Sequence, residues 1–157
     1  MGILLLPSTL VHSAQTSTTV TVKVTVLAQL PCILNGGKVV EVNFGNDMVT
    51  KKVDGKNYIR PIPFELVCSG EGDNTMKLRI KGTQASFGGT NTLETSNPNL
   101  GIDIQIKGFG LRFPLNSDVG FTYPKMLSLQ AVPIKRPGST LSSGSFSAGA
   151  TITVNYE

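Results

Sequence analysis

The side chains that most often carry nucleophilic or metal chemistry are scarce in this chain: two cysteines, Cys32 and Cys68, and one histidine, His12, among 157 residues. A serine or cysteine nucleophile needs a base beside it. His12 falls within an apolar leader, so the rest of the chain cannot assemble a Ser-His-Asp or Cys-His arrangement. Zinc chemistry fails for the same want of ligands, since there is no CxxC. Ten acidic residues offer paired carboxylates. Glu41, Asp47, Asp73, Asp103 and Asp118 nevertheless fall on wet strand faces or turns, where solubility rather than glycosidase chemistry is expected. Gly88-Gly89 and Gly108-Phe109-Gly110 lack the strand-to-helix setting of a phosphate loop. The expectation is a protein that is not an enzyme, with no catalytic residues, no metal and no cofactor.

The chemistry that remains is oxidation of the two thiols. An even cysteine count behind an export leader makes a Cys32–Cys68 disulfide the economical assignment, worth about 4 kcal/mol in the chain-entropy picture. The leader is residues 1–14, MGILLLPSTLVHSA. It is too short to cross a bilayer and ends in small residues, so it reads as a signal peptide cleaved after Ser13 or Ala14. No Lys or Arg precedes the apolar run, so the basic start of the precursor is expected to be missing. The alternative is a buried N-terminal strand, which Pro7 would interrupt.

The elements that must hold the disulfide are strands. Hydrophobic residues make up 39% and charged residues 15%, with Gly 17 and Pro 9, a balance that favours one all-β domain of short strands and turns. The net charge of +4 is spread along the chain rather than clustered, so no nucleic-acid partner is indicated, nor direct membrane insertion. In residues 144–157, GSFSAGATITVNYE, Phe146, Ala148, Ala150, Ile152, Val154 and Tyr156 alternate with polar or small residues, the pattern of a half-buried strand. A second alternation begins at Val20 and runs through Val22, Val24, Val26, Ala28 and Leu30 to Cys32 and Leu34. Extended, it would span about 46 Å, far longer than one sheet requires. Residues 28–34 are therefore assigned to the domain and Val20–Val26 to a projecting segment. The alternative is one long edge strand or a strand that switches sheets.

Further strands are read at Val39–Phe44, Ile62–Cys68, Met76–Ile80, Ile102–Ile106, Leu111–Leu115 and from Met126 or Leu127 to Ile134. Lys77, Arg79 and Lys81 share an outer face. Residues 48–57 read as a polar connection and 116–120 as a turn. No helical periodicity is sustained, and the count of about six main strands suits a β-sandwich.

The penultimate Tyr156, Gly144 placed fourteen residues from the end, the alternation between them, the cysteine pair and Asn43-Phe44-Gly45 together resemble a pilin subunit of the bacterial chaperone-usher (fimbrial) pathway, of the minor-subunit type. The resemblance implies an incomplete immunoglobulin-like β-sandwich of six strands whose seventh is supplied in trans. Its domains would be the leader at 1–14, an N-terminal donor-strand extension at 15–27 and the pilin domain at 28–157. It implies Val20, Val22, Val24 and Val26 as the donor strand. It implies Gly144, Phe146, Ala148, Ala150, Ile152, Val154 and Tyr156 as the acceptor groove and chaperone-binding strand.

The implied partners are a periplasmic chaperone, an outer-membrane usher and neighbouring pilin subunits, and the implied route is export through an oxidising periplasm to a surface fimbrium. Burial of the four valines would contribute about 6 to 12 kcal/mol before the ordering cost. The sequence departs from the family pattern at Val26, where the extension usually has glycine. A self-complete secreted β-sandwich that binds carbohydrate or acts like an adhesin is the alternative. A tip adhesin of this family would carry a further lectin domain and lack the extension.

Overall fold

The alternating segments become strands that lie against one another in two layers, with the apolar parity of β6, β8 and β12 turned inward. The computed structural model describes residues 18–26, 32–70 and 74–157, so the leader, Ala28 and Leu30, and Asp73 lie outside the described residues. The first six strands are β1 Thr18–Val26, β2 Cys32–Leu34, β3 Val40–Asn43, β4 Arg60–Ile62, β5 Leu66–Cys68 and β6 Asn74–Lys81. The remaining six are β7 Thr92–Glu94, β8 Leu100–Ile106, β9 Leu111–Arg112, β10 Asp118–Tyr123, β11 Leu129–Lys135 and β12 Phe146–Tyr156. Two single turns of 3-10 helix, Asn35–Gly37 and Thr50–Lys52, are the helical elements among the described residues.

One sheet has the order β10-β6-β12-β1-β3; the other has β4-β11-β8-β7, with β9 paired to β8. A small ribbon, β2 against β5, sits beside them. The inner faces meet in one core. Met76, Leu78 and Ile80 of β6 and Ile152 and Val154 of β12 supply one layer, and Ile102, Ile104, Leu129 and Ala131 the other. Leu34, Phe44 and Phe113 fill the ends and are essentially inaccessible to solvent.

Several expectations are refined by this arrangement. The run from Ile62 to Cys68 is two strands rather than one. Pro61 lies in β4 at the edge of its sheet, where a missing N–H breaks no ladder. Residues 118–123, read partly as a turn, form β10, paired antiparallel with β6. The segment read as a polar connection buries Met48 and Val53. The cationic face of β6 does point outward, and Arg79 Nε donates to Asp118 Oδ1 of β10 at 2.7 Å.

Candidate functional site: the slot between the terminal strand and β3

The terminal strand carries the burial its sequence anticipates. Phe146, Ala150, Ile152 and Val154 are buried and Ala148 and Tyr156 half-buried, while Ser147 and Gly149 are exposed. Thr153 breaks the pattern: it belongs to the polar parity yet is buried, because β12 lies in the middle of its sheet between β6 and β1. Gly144 stands two residues before the strand, in a bend with φ +136°, a conformation that favours glycine. Nothing lies within 4 Å of where its Cβ would be, so backbone conformation rather than lack of space calls for glycine there.

On one side β12 is held by β6 in an antiparallel ladder from Thr151↔Lys81 to Tyr156↔Met76. On the other side runs β1. It is parallel to β12 over nine residues, Thr18↔Phe146 to Val26↔Val154, so that Val20, Val22, Val24 and Val26 stand opposite Ala148, Ala150, Ile152 and Val154. Its far edge pairs antiparallel with β3 over four residues, Thr19↔Asn43 to Val22↔Val40. Without β1, the edges of β12 and β3 would face each other across a gap one strand wide. In this single chain that gap is filled by the chain's own segment, the one assigned from the sequence to a neighbouring molecule's groove.

The direction of β1 follows from its tether. Five residues separate Val26 from Cys32, a reach of about 20 Å. Cys32 sits at the Tyr156 end of β12, where the Tyr156 hydroxyl lies 3.2 Å from Cys32 Sγ. The sulfur is oxidised and carries no proton, so the hydroxyl donates. An eleven-residue strand extends about 33 Å. Val26 could not reach the Phe146 end and still connect to Cys32, so within one chain β1 has to run parallel to β12.

The two ends of the slot differ. At the Tyr156 end the Cys32–Cys68 disulfide joins β2 to β5 across directly opposed residues. The Cys68 amide donates to the Tyr123 hydroxyl at 3.3 Å. Disulfide and tyrosines together pin the ribbon to the sheet from which β1 departs. At the Phe146 end, the rings of Phe44 and Phe146 pack at a 32° tilt with centroids 6.3 Å apart. Met48, Val53, Leu100 and Leu141 line a small apolar pocket beside Phe146 and Gly144. Met48 and Val53 were not recognised from the sequence, since flanking lysines and turn residues mask two isolated apolar positions.

No group of three or more His, Cys, Asp or Glu side chains suited to a metal occurs among the described residues. Asp103, assigned from the sequence to a wet face, is half-covered. Its Oδ1 accepts from the Thr92 hydroxyl at 2.7 Å, and burial raises its carboxyl above the usual range, opposed by that hydrogen bond and by the charge of Arg112. The covering loop is held by Arg136, whose guanidinium stacks 4.9 Å over the Phe87 ring and donates to Ser86.

Comparison with known proteins places this two-layer β fold. The sequence model of the fimbrial protein family matches residues 18–157. The chain is 33% identical to the fimbrial-like protein YfcQ of Escherichia coli K12 over 163 residues, covering 100% of this chain and 97% of the relative. It is also 33% identical to the fimbrial-like protein YfcR of the same strain, over 86% of this chain and 78% of the relative. Among solved structures, the P pilus adaptor subunit PapF superposes with a TM-score of 0.62 at 22% identity, covering 81% of this chain and 96% of that one. The P pilus rod subunit PapA superposes with a TM-score of 0.57 at 23% identity, over 83% and 95% of the two chains. The chain belongs to the fimbrial protein family and has the immunoglobulin-like pilin fold.

Proposed function

We propose that this chain is a structural subunit of a fimbria that polymerises by donor-strand exchange, its N-terminal segment leaving its own slot to fill that of a neighbouring subunit. The observation that carries the reading is the slot itself. β12 and β3 are joined in one sheet through β1, and five residues of sequence link β1 to Cys32, so the segment that fills the slot lies at the end of a short covalent tether. An unfilled slot would expose two strand edges and the apolar row Phe146, Ala150, Ile152 and Val154, a surface prone to aggregation. A periplasmic chaperone that lends a strand until an outer-membrane usher hands the subunit on would protect it. The fit of β1 in its own slot favours a second reading, a self-complete secreted sandwich that never exchanges.

Two variants separate them. Deletion of residues 15–26 is expected to leave a domain that accumulates only with a chaperone and attaches to no further subunit. Appending residues 18–26 after Glu157 through a flexible turn, in that deleted background, is expected to restore a soluble monomer, since the strand is supplied at high effective concentration. Thermal unfolding of the two without chaperone is the measurement. If the deleted chain is already a stable monomer with the same midpoint, exchange is not its function.

A further inference from the structure

Besides Val39, Phe109 and Leu111, the exposed large apolar side chains among the described residues are Ile33, Val67, Val49 and Ile59, which fall in two groups beside β12. At the Tyr156 end, Ile33 of β2 and Val67 of β5 stand directly opposite each other and are 55% and 53% exposed. Each is one residue from a disulfide cysteine, and their side chains form the outer face of the ribbon whose inner face is Cys32, Leu34 and Leu66. At the Phe146 end, Val49 follows the pocket-lining Met48 and is 45% exposed, and Ile59 is 43% exposed. The Val49 amide donates to the hydroxyl of Tyr58, which brings the two segments together. Apolar side chains held opposite each other on an outer face, as Ile33 and Val67 are, mark a contact surface rather than scattered exposure.

From this geometry we infer that the Ile33–Val67 face of one subunit docks on the Val49–Ile59 rim of a second copy of this chain, head to tail. The inference rests on the proposed strand exchange and adds a second contact to it. A donor running antiparallel to the acceptor's β12, the orientation with the straighter hydrogen bonds, would lie with Val26 at the acceptor's Phe146 end. The tether of five residues then holds the donor's Cys32 within about 20 Å of that end. Ile33, the next residue, is thereby brought toward the acceptor's Phe146 end, where Val49 follows the pocket-lining Met48 as an exposed apolar side chain. The two patches differ and lie at opposite ends, so the contact is heterologous and repeats along a filament instead of closing on itself. A patch of this size adds to a donated strand without holding subunits together alone.

The test uses full-length chain assembled into polymers, with Val67 replaced by the photo-crosslinking residue benzoylphenylalanine. Irradiation is expected to join position 67 to a peptide within residues 48–59 of another copy, identified by mass spectrometry. In parallel, Ile33→Lys with Val67→Lys is expected to leave folding and strand exchange intact, because both sites are exposed, while raising the rate at which polymers shed subunits by about tenfold, the loss of one apolar anchor. Polymers that form normally, crosslink elsewhere and shed subunits at the unmodified rate would overturn the docking inference and leave strand exchange standing. A chain that forms no polymer removes strand exchange and the docking contact together.

Discussion

Asp103 illustrates how a single residue escapes a reading by alternation. Its parity on β8 is that of Gln105, an outer-face position, yet the loop before Thr92 folds over that face. Phe87 packs there, its ring 3.3 Å from where a Cβ on Gly101 would lie, so Asp103 is half-covered by residues that are distant in pattern. Burial raises its carboxyl in the folded state above the ordinary 3.8. The folded protein therefore binds this proton more tightly than the unfolded chain does. Stability contributed here is greatest below the unfolded value and declines as pH rises through the folded one. Asp103→Asn keeps an acceptor for the Thr92 hydroxyl and removes the charge. It is expected to raise the urea midpoint at pH 7, with the gain vanishing as pH falls below the ordinary carboxylate range. Equal gains at pH 3 and pH 7 would show that charge burial is not the cause. Cys32, Cys68, Ile152 and Val154 were legible because a disulfide pair and a two-residue period are local signals.

At the scale of elements, β6, β8 and β12 could be read from sequence because each carries three or more apolar residues of one parity, and β11 because Leu129, Ala131, Val132 and Ile134 cluster. β10 could not, because Asn116 and Gly120 suggest a turn while Phe121 alone of its residues is buried. The extent of β1 was readable too, but not its place. Alternation says that Val20 to Val26 form a strand with one apolar face; that it lies between β12 and β3 is a matter of tertiary pairing, and its direction there depends on how far Cys32 lies from each end of β12.

β1 is also unevenly held. Its first half pairs on both sides, whereas beyond Val22 it pairs with β12 only. Hydrogen exchange in the monomer should therefore be fastest at those amides of Lys23–Val26 that face away from β12, and slower throughout Thr19–Val22, since the doubly paired half opens less readily. Uniform protection along β1 would mean that the strand opens only as a unit.

For the whole molecule, the β-sandwich class was legible in the number and spacing of the strands, but the order β10-β6-β12-β1-β3 was not, because it depends on which distant segments pair. Nor was the polarity of the sandwich. That the disulfide, Tyr123 and Tyr156 gather at one end and Phe44, Phe146 and the apolar pocket at the other is a result of packing between segments more than a hundred residues apart, such as Cys32 and Tyr156. This polarity gives an otherwise ordinary sandwich a front and a back.

The parallel seat of β1 has a kinetic meaning. A strand arriving in the opposite direction cannot share the ladder register of the one it replaces, so β1 and its substitute do not interconvert by sliding. If the proposed exchange operates, the resident strand is expected to come out first. Assembly from self-filled monomers should accordingly show a rate that rises with chain concentration and then levels off at the rate constant for release of β1, a first-order limit that stopped-flow light scattering would detect. A rate that stays second-order up to high concentration would mean that the incoming strand displaces the resident one residue by residue. With such a limit, the five-residue tether makes the monomer a reservoir whose discharge is timed by one internal event rather than by how many neighbours it meets.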